Sequence, residues 1–209
     1  TPSHSTLCLH GFSSSRLGAE GPFGARSQLT DAPDQVWGQP ESDSEGHRLM
    51  AGHNGYAPTH GLTHIRQLTL AIDGRALVGE DTLGAMTVAD RRRYETIMER
   101  TRHKGIAFDL RFHLHPDVDA TIDLGGSAIS MALKSGEIWV FRHDGVGELT
   151  LEPSVYLESG RLKPRATQQI VLSSAVLDYA CQLGWTLAKA QDTPAATRDT
   201  LRDDDVSDA

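Results

Sequence analysis

Residues 106–116, IAFDLRFHLHP, alternate apolar and polar side chains almost without error. Ile106, Phe108, Leu110, Phe112 and Leu114 fall on one face, and Asp109, Arg111, His113 and His115 on the other. Successive side chains on an extended backbone point to opposite sides of a sheet, so a period of two marks a half-buried strand. Such a strand needs a second apolar layer to cover one face, and leaves the other face for polar chemistry.

The rest of the chain repeats that pattern between turn signals. Residues 6–9 (TLCL) form a short apolar strand, followed by the polar loop HGFSSSRLGAEGPFG. Residues 29–46 are rich in Pro, Asp, Ser and Gln and read as loop, apart from a brief extended piece at 35–37. Extended structure resumes at 48–53. Asp73-Gly74 separates two strand-like runs, 62–72 and 75–83, and this dipeptide favours a hairpin because type I′ turns need positive φ at both central residues. Strands are expected at 120–124, 128–133 and 137–143, divided by Gly125-Gly126 and by a second hairpin turn at Ser135-Gly136. The pattern continues at 149–157 and 169–172. In a last run Cys181, Leu183, Trp185 and Leu187 alternate with Gln182, Gly184, Thr186 and Ala188, as in a closing strand. Residues 89–104 are the one candidate helix; without a sustained apolar stripe they equally fit a basic surface loop. From 191 onward six aspartates face only Arg198 and Arg202, and no apolar period exists, so this tail is expected to be disordered. The fold expected is all-β: one antiparallel β-sandwich of two packed sheets over residues 1–190, with long polar loops and a disordered acidic tail at 191–209.

The 209 residues suffice to bury a core without covalent staples. Acidic residues outnumber basic ones by 28 to 20, for a formal charge of −8 and a pI near 5.6, which argues against a nucleic acid backbone as the main ligand. An anionic ligand would need a local basic patch. No run approaches the roughly 18 apolar residues of a membrane span. Cys8 and Cys181 both sit in apolar runs as small hydrophobes, and nothing in the sequence pairs them. The chain opens at Thr1 directly before an apolar run, which reads as a piece of something longer.

Four strings, SHSTLCL, GLTHIRQLTL with GEDTL behind it, RFHLHPDV and LKSGEIWVFRH, lie in order between residues 3 and 143 and so spread over most of the stretch 3–190. Together they resemble the C-terminal region of the heparinase II/III-like family of polysaccharide lyases. The resemblance implies a β-sandwich joined to an N-terminal helical toroid of the same parent protein, an acidic polysaccharide as partner, and β-elimination at a uronic acid. It also implies a periplasmic or other cell-envelope setting. Elimination requires that the carboxylate be neutralised, the adjacent proton abstracted and the leaving oxygen protonated. In the family those tasks fall largely to segments before Thr1, so no catalytic residue is assigned in this chain, and the chain by itself is expected to be inactive.

By the same resemblance His4, in PSHSTL, contributes to a structural zinc site whose other ligands lie earlier in the parent; Ser5 stands where Asn is common. The alternative is a hydrogen-bonded histidine at a domain junction. His113 and His115, two apart on a strand, emerge about 7 Å apart at the backbone and could share a metal ion with Asp117 and Asp119 nearby, or simply make surface hydrogen bonds. Arg161, Lys163 and Arg165 pack three cations into RLKPR and are candidates for substrate anions, against the plainer reading of a solvated loop. The Arg91 to Arg93 run takes the same plain reading. Tyr56 follows His53-Asn54-Gly55, a grouping with active-site chemistry that is first of all a turn former. Trp37, Trp139 and Trp185 could stack on sugars, although strand periodicity favours core packing for the last two. Three functions stay open: the sandwich domain of a lyase, a stand-alone carbohydrate-binding module, or a purely structural sandwich.

Overall fold

The computed structural model describes residues 1–18 and 29–190; the acidic tail falls outside the described residues. The elements are β1 (Leu7–Leu9), β2 (Arg16–Leu17), β3 (Leu29–Asp31), β4 (Val36–Ser42), β5 (Gly46–Tyr56), α1 (Ala57–His60), β6 (Leu62–Ala71), β7 (Ala76–Gly84) and α2 (Val88–Arg100). They continue with β8 (Ile106–His113), β9 (Asp119–Asp123), a 3-10 turn at Leu124–Gly126, β10 (Ala128–Ala132), β11 (Ile138–His143), β12 (Glu148–Tyr156), β13 (Arg165–Val176) and β14 (Ala180–Lys189).

Two antiparallel sheets carry the fold. One has four strands in the order β1-β8-β13-β12, and the other has eight in the order β4-β5-β6-β7-β14-β11-β10-β9. Their facing sides supply the core: Phe108, Leu110 and Leu172 from the smaller sheet meet Leu83, Ile129, Phe141 and Leu183 from the larger. Strand β8 is flanked on both sides by β1 and β13, which is why its alternation is so clean: one face is core, and the other is held in register by two ladders. Tyr56 ties the sheets at one end, its fully buried hydroxyl donating to the Leu7 carbonyl at 3.1 Å.

Several expectations change. Residues 36–42, read as loop beyond position 37, form the seven-residue strand β4. It is the outermost strand of the large sheet and mostly exposed, so it needs little apolar sequence and tolerates Pro40. The Asp73-Gly74 hairpin is present, but the Gly74 N–H donates to the Ala71 carbonyl and only Gly74 has positive φ, +69°. The turn is therefore an ordinary one closed by a left-handed glycine, with Asp73 Oδ1 accepting from the Arg75 N–H at 3.0 Å. The Ser135-Gly136 hairpin uses the same device. Strand β14, the last among the described residues, sits in the middle of the large sheet, between β7 and β11.

The basic segment is a helix. Thr87 and Asp90 form a reciprocal capping box at its start, and Tyr94 and Met98, one turn apart, are its buried stripe. The four-residue α1 had no sequence signal beyond Pro58. Gly61 ends it at φ +68°, where a Cβ would collide with the Asp90 carbonyl, so glycine lets α1 lie directly against α2. Cys8 and Cys181 are both free thiols. Among the described residues no helix is long and apolar enough to cross a membrane.

Candidate functional site

The segment before β1 folds back on the turn that follows it. Thr1 Oγ1 accepts from the Ser14 N–H at 2.9 Å and shares a hydrogen bond with Ser14 Oγ. Among the described residues, this folded-back segment, the start of α1 and the β5 end enclose a cavity of about 1340 Å³. Hydroxyls of Ser13, Ser14 and Thr59 and the imidazoles of His4 and His53 line its wall, together with the charged side chains Arg16, Asp31 and Asp34 from around β2 and β3.

His53 is the visible end of a buried chain of polar groups. The antiparallel register places His53 opposite His64 and Arg66 opposite Asp81, on the inward side of the large sheet. The Gly55 N–H donates to His53 Nδ1 at 3.2 Å, which puts the proton of a neutral ring on Nε2. That proton points at His64 Nδ1, 3.4 Å away, and His64 Nε2–H donates in turn to Asp81 Oδ1 at 2.7 Å. Asp81 also accepts from Arg66 Nε at 2.8 Å and from Trp185 Nε1 at 2.9 Å. The indole reaches it only because position 79 is glycine; a Cβ there would occupy the space of the Trp185 ring.

Burial pushes the Asp81 carboxyl up, but the His64 hydrogen bond and the Arg66 charge outweigh it and hold the group below its usual range. Burial, helped by His64, lowers His53 to about 4. At neutral pH the cavity floor is thus a neutral imidazole with both nitrogens engaged. It can recognise polar ligands through shape and ring edge; in this arrangement it presents no free base.

The polar face of β8 is also committed. Asp109 accepts from His10 Nε2 at 2.9 Å, Ser173 Oγ at 2.7 Å and Arg111 at 2.5 Å, and Arg111 also meets Glu152 at 3.4 Å. Burial pushes the Asp109 carboxyl up, and the His10 and Ser173 hydrogen bonds with the Arg111 charge more than reverse this.

The residues singled out in the sequence separate in space. His113 joins the His4 segment: its N–H donates to Ser5 Oγ, its Nε2–H to the Pro2 carbonyl at 3.1 Å, and its Nδ1 accepts from Ser154 Oγ at 2.8 Å. His115 turns elsewhere, its ring edge-on to Tyr156 and its Nδ1 accepting from the Asp117 N–H. His4 is exposed on the cavity wall. Among the described residues no three His, Cys, Asp or Glu side chains gather closely enough to hold a metal ion. Arg161 pairs with Glu158 at 3.0 Å and Arg165 with Asp117 at 2.9 Å; Lys163 is exposed. Trp185 is core, and Trp139 is half-buried beneath the Lys189 ammonium.

The His53–His64–Asp81 chain escaped the sequence reading, although a signal for half of it existed. Arg66 and Asp81 are equidistant from the Asp73-Gly74 turn, so the hairpin alone pairs them. Nothing local pairs His53 with His64, because the β5–β6 connection contains α1 and an irregularity between His53 and Tyr56.

An antiparallel sandwich with a hydroxyl-lined cavity at one end and a buried polar chain beneath it defines the class of domain. The family model described as "Heparinase II/III-like, C-terminal" matches residues 1–186, and the chain belongs to that family. It is similar to FtsZ-localized protein C of Caulobacter vibrioides (strain NA1000 / CB15N), 32% identical over 189 residues that make up 88% of this chain and 29% of that protein. Its fold is similar to heparan sulfate lyase HepC from Pedobacter heparinus, with a TM-score of 0.61 at 11% identity over 92% of this chain and 25% of that one. A heparinase III, the BT4657 gene product, gives 0.58 at 10% identity over 92% and 25%. The chain thus spans 29% of the curated relative it matches and a quarter of these lyase chains.

Proposed function

We propose that this domain is the C-terminal sandwich of a larger heparinase II/III-like lyase that cleaves uronic-acid-containing glycans by β-elimination. Its role is to pack against an N-terminal helical toroid and to wall the glycan cleft. The observation that carries this reading is the cavity: its serine, threonine and imidazole lining suits a polyhydroxylated ligand, and the family membership supports the same ligand class. His53, neutral and fixed from behind by His64 and Asp81, contributes a rigid polar surface that does not reorganise as charge develops on the sugar. Abstraction of the proton beside the carboxylate and protonation of the leaving oxygen belong to groups outside this chain. A zinc ion enters no step of this account.

The test compares the full-length parent with this domain on heparan sulfate, alginate and polygalacturonate, following ultraviolet absorbance of the unsaturated product. The parent should turn over at least one of them and the domain none. Turnover by the domain alone, or a parent silent on every uronate glycan, overturns the reading.

A second reading is favoured by the FtsZ-localized relative, whose 32% identity far exceeds the 11% shared with HepC. In it the sandwich is a non-catalytic module, glycan-binding or purely structural, of a protein that localises with FtsZ. A parent without lyase activity whose fluorescent fusion still follows FtsZ would favour it; glycan affinity in the isolated domain would make the module glycan-binding.

A further inference from the structure

On the other side of α1 from the cavity, a groove of about 440 Å³ runs between α1 and α2, with Pro58 and Thr59 as the ridge shared by both. Its cationic lining is Arg92, Arg93 and Arg100, and no carboxylate lines it among the described residues. In a chain of formal charge −8, this is a concentrated spot of the opposite sign. The Arg91 to Arg93 run divides its labour. Arg91 lies over the Tyr179 ring at 5.4 Å, and Arg93 donates to the Ala57 carbonyl at 2.9 Å, which fixes the groove's width. Among the described residues Arg92 and Arg100 pair with no carboxylate. The nearby Glu95 is occupied by the Tyr179 hydroxyl at 2.6 Å, and Glu99 does not line the groove. The contrast with RLKPR is direct, because Arg161 and Arg165 there are each neutralised by an acid.

The groove's hydroxyls narrow the ligand class. Thr59 Oγ1–H donates to the Tyr56 carbonyl at 3.3 Å, and Thr96 Oγ1–H to the Arg92 carbonyl at 3.0 Å. With their protons committed, both oxygens have only lone pairs to offer; one on Thr59 already meets His60 Nδ1 at 2.9 Å, and those left call for a hydroxyl donor. Guanidinium forks call for an oxyanion, carboxylate or sulfate. Arg92 and Arg100 are two helical turns apart, about 12 Å along the axis, so a ligand that engages both carries repeated anionic groups.

We propose that the α1–α2 groove binds an anionic oligosaccharide, its carboxylates or sulfates on Arg92 and Arg100 and its hydroxyls on Thr59 and Thr96. The assay reads binding, so its result is independent of whether the parent is a lyase. The full chain is titrated calorimetrically with a heparin hexasaccharide, hexagalacturonate and hexa-aspartate. At least one saccharide should bind more tightly than hexa-aspartate. In Arg92→Ala/Arg100→Ala, which keeps good helix formers at both exposed positions, that affinity should fall roughly tenfold or more. In Arg161→Ala/Arg165→Ala it should hold. Tight heparin with weak galacturonate assigns sulfate as the preferred anion, and the converse assigns carboxylate; both support the site. No saccharide binding, an unaffected groove variant, a loss only in the Arg161/Arg165 variant, or hexa-aspartate binding as tightly as the saccharides overturns the proposal.

Discussion

Two pairs of histidines in this protein met opposite fates. His113 and His115 are two residues apart and by periodicity fall on one strand face, yet β8 ends at His113, which clamps the N-terminal segment, while His115 lies past the strand end and packs on Tyr156. His53 and His64 are eleven residues apart and separated by α1, yet their rings meet, and with Asp81 they form a continuous hydrogen-bonded chain. Periodicity along a strand places a side chain on a face. Register between strands decides what it touches.

The largest effect that would sharpen this contrast is expected at Asp81. Asp81→Ala leaves the largely buried Arg66 charge, the Trp185 N–H and His64 without their shared acceptor, and should cost about 3–5 kcal/mol in urea unfolding. A loss under about 1 kcal/mol would mean the buried chain is no stronger than a surface pair.

Next comes pH. His53 is lowered from 6.5 to about 4 in the folded state, so the unfolded chain takes up the proton first. Its contribution is complete above about pH 6.5 and falls away as pH drops toward 4, with a slope below about 1.4 kcal/mol per pH unit because the ring is only partly buried. His53→Gln should flatten that part of the stability profile, and an unchanged profile would break the assignment of a neutral cavity floor.

At the other pair, His113→Ala removes the bonds to Ser154 and Pro2 and should cost about 1 kcal/mol, with faster amide exchange at Ser5 and Thr6. Smallest is Arg165→Ala. The hydrogen bonds from Lys134 and Arg165 hold the exposed Asp117 carboxyl down to about 2. Losing Arg165 should move that carboxyl back toward 3.8, visible by NMR titration, without a resolvable change in unfolding midpoint.

Much of the fold was legible because it is written locally. Alternation named β8 and β14, and glycine-bearing turns named both hairpins. The heparinase II/III-like strings pointed to the family that the match over residues 1–186 establishes. Strand β4 was not legible, since an exposed edge strand has no apolar face to show and its ladder bonds are backbone bonds. Of the site, His4 lies on the cavity wall, but the floor beneath it was invisible, because His53 meets His64 only through the irregular β5–β6 pairing.

By itself the sequence determined that this protein is built from alternating strands, since the two-residue period and turn chemistry act over a few residues and need no partner. Only the tertiary structure decided that the last strand lies at the centre of the large sheet, and which arginines are neutralised and which stay open in a groove. The reason is physical: charge pairing and burial depend on distances between elements remote in the chain, and those distances exist only once the sheets have paired and packed.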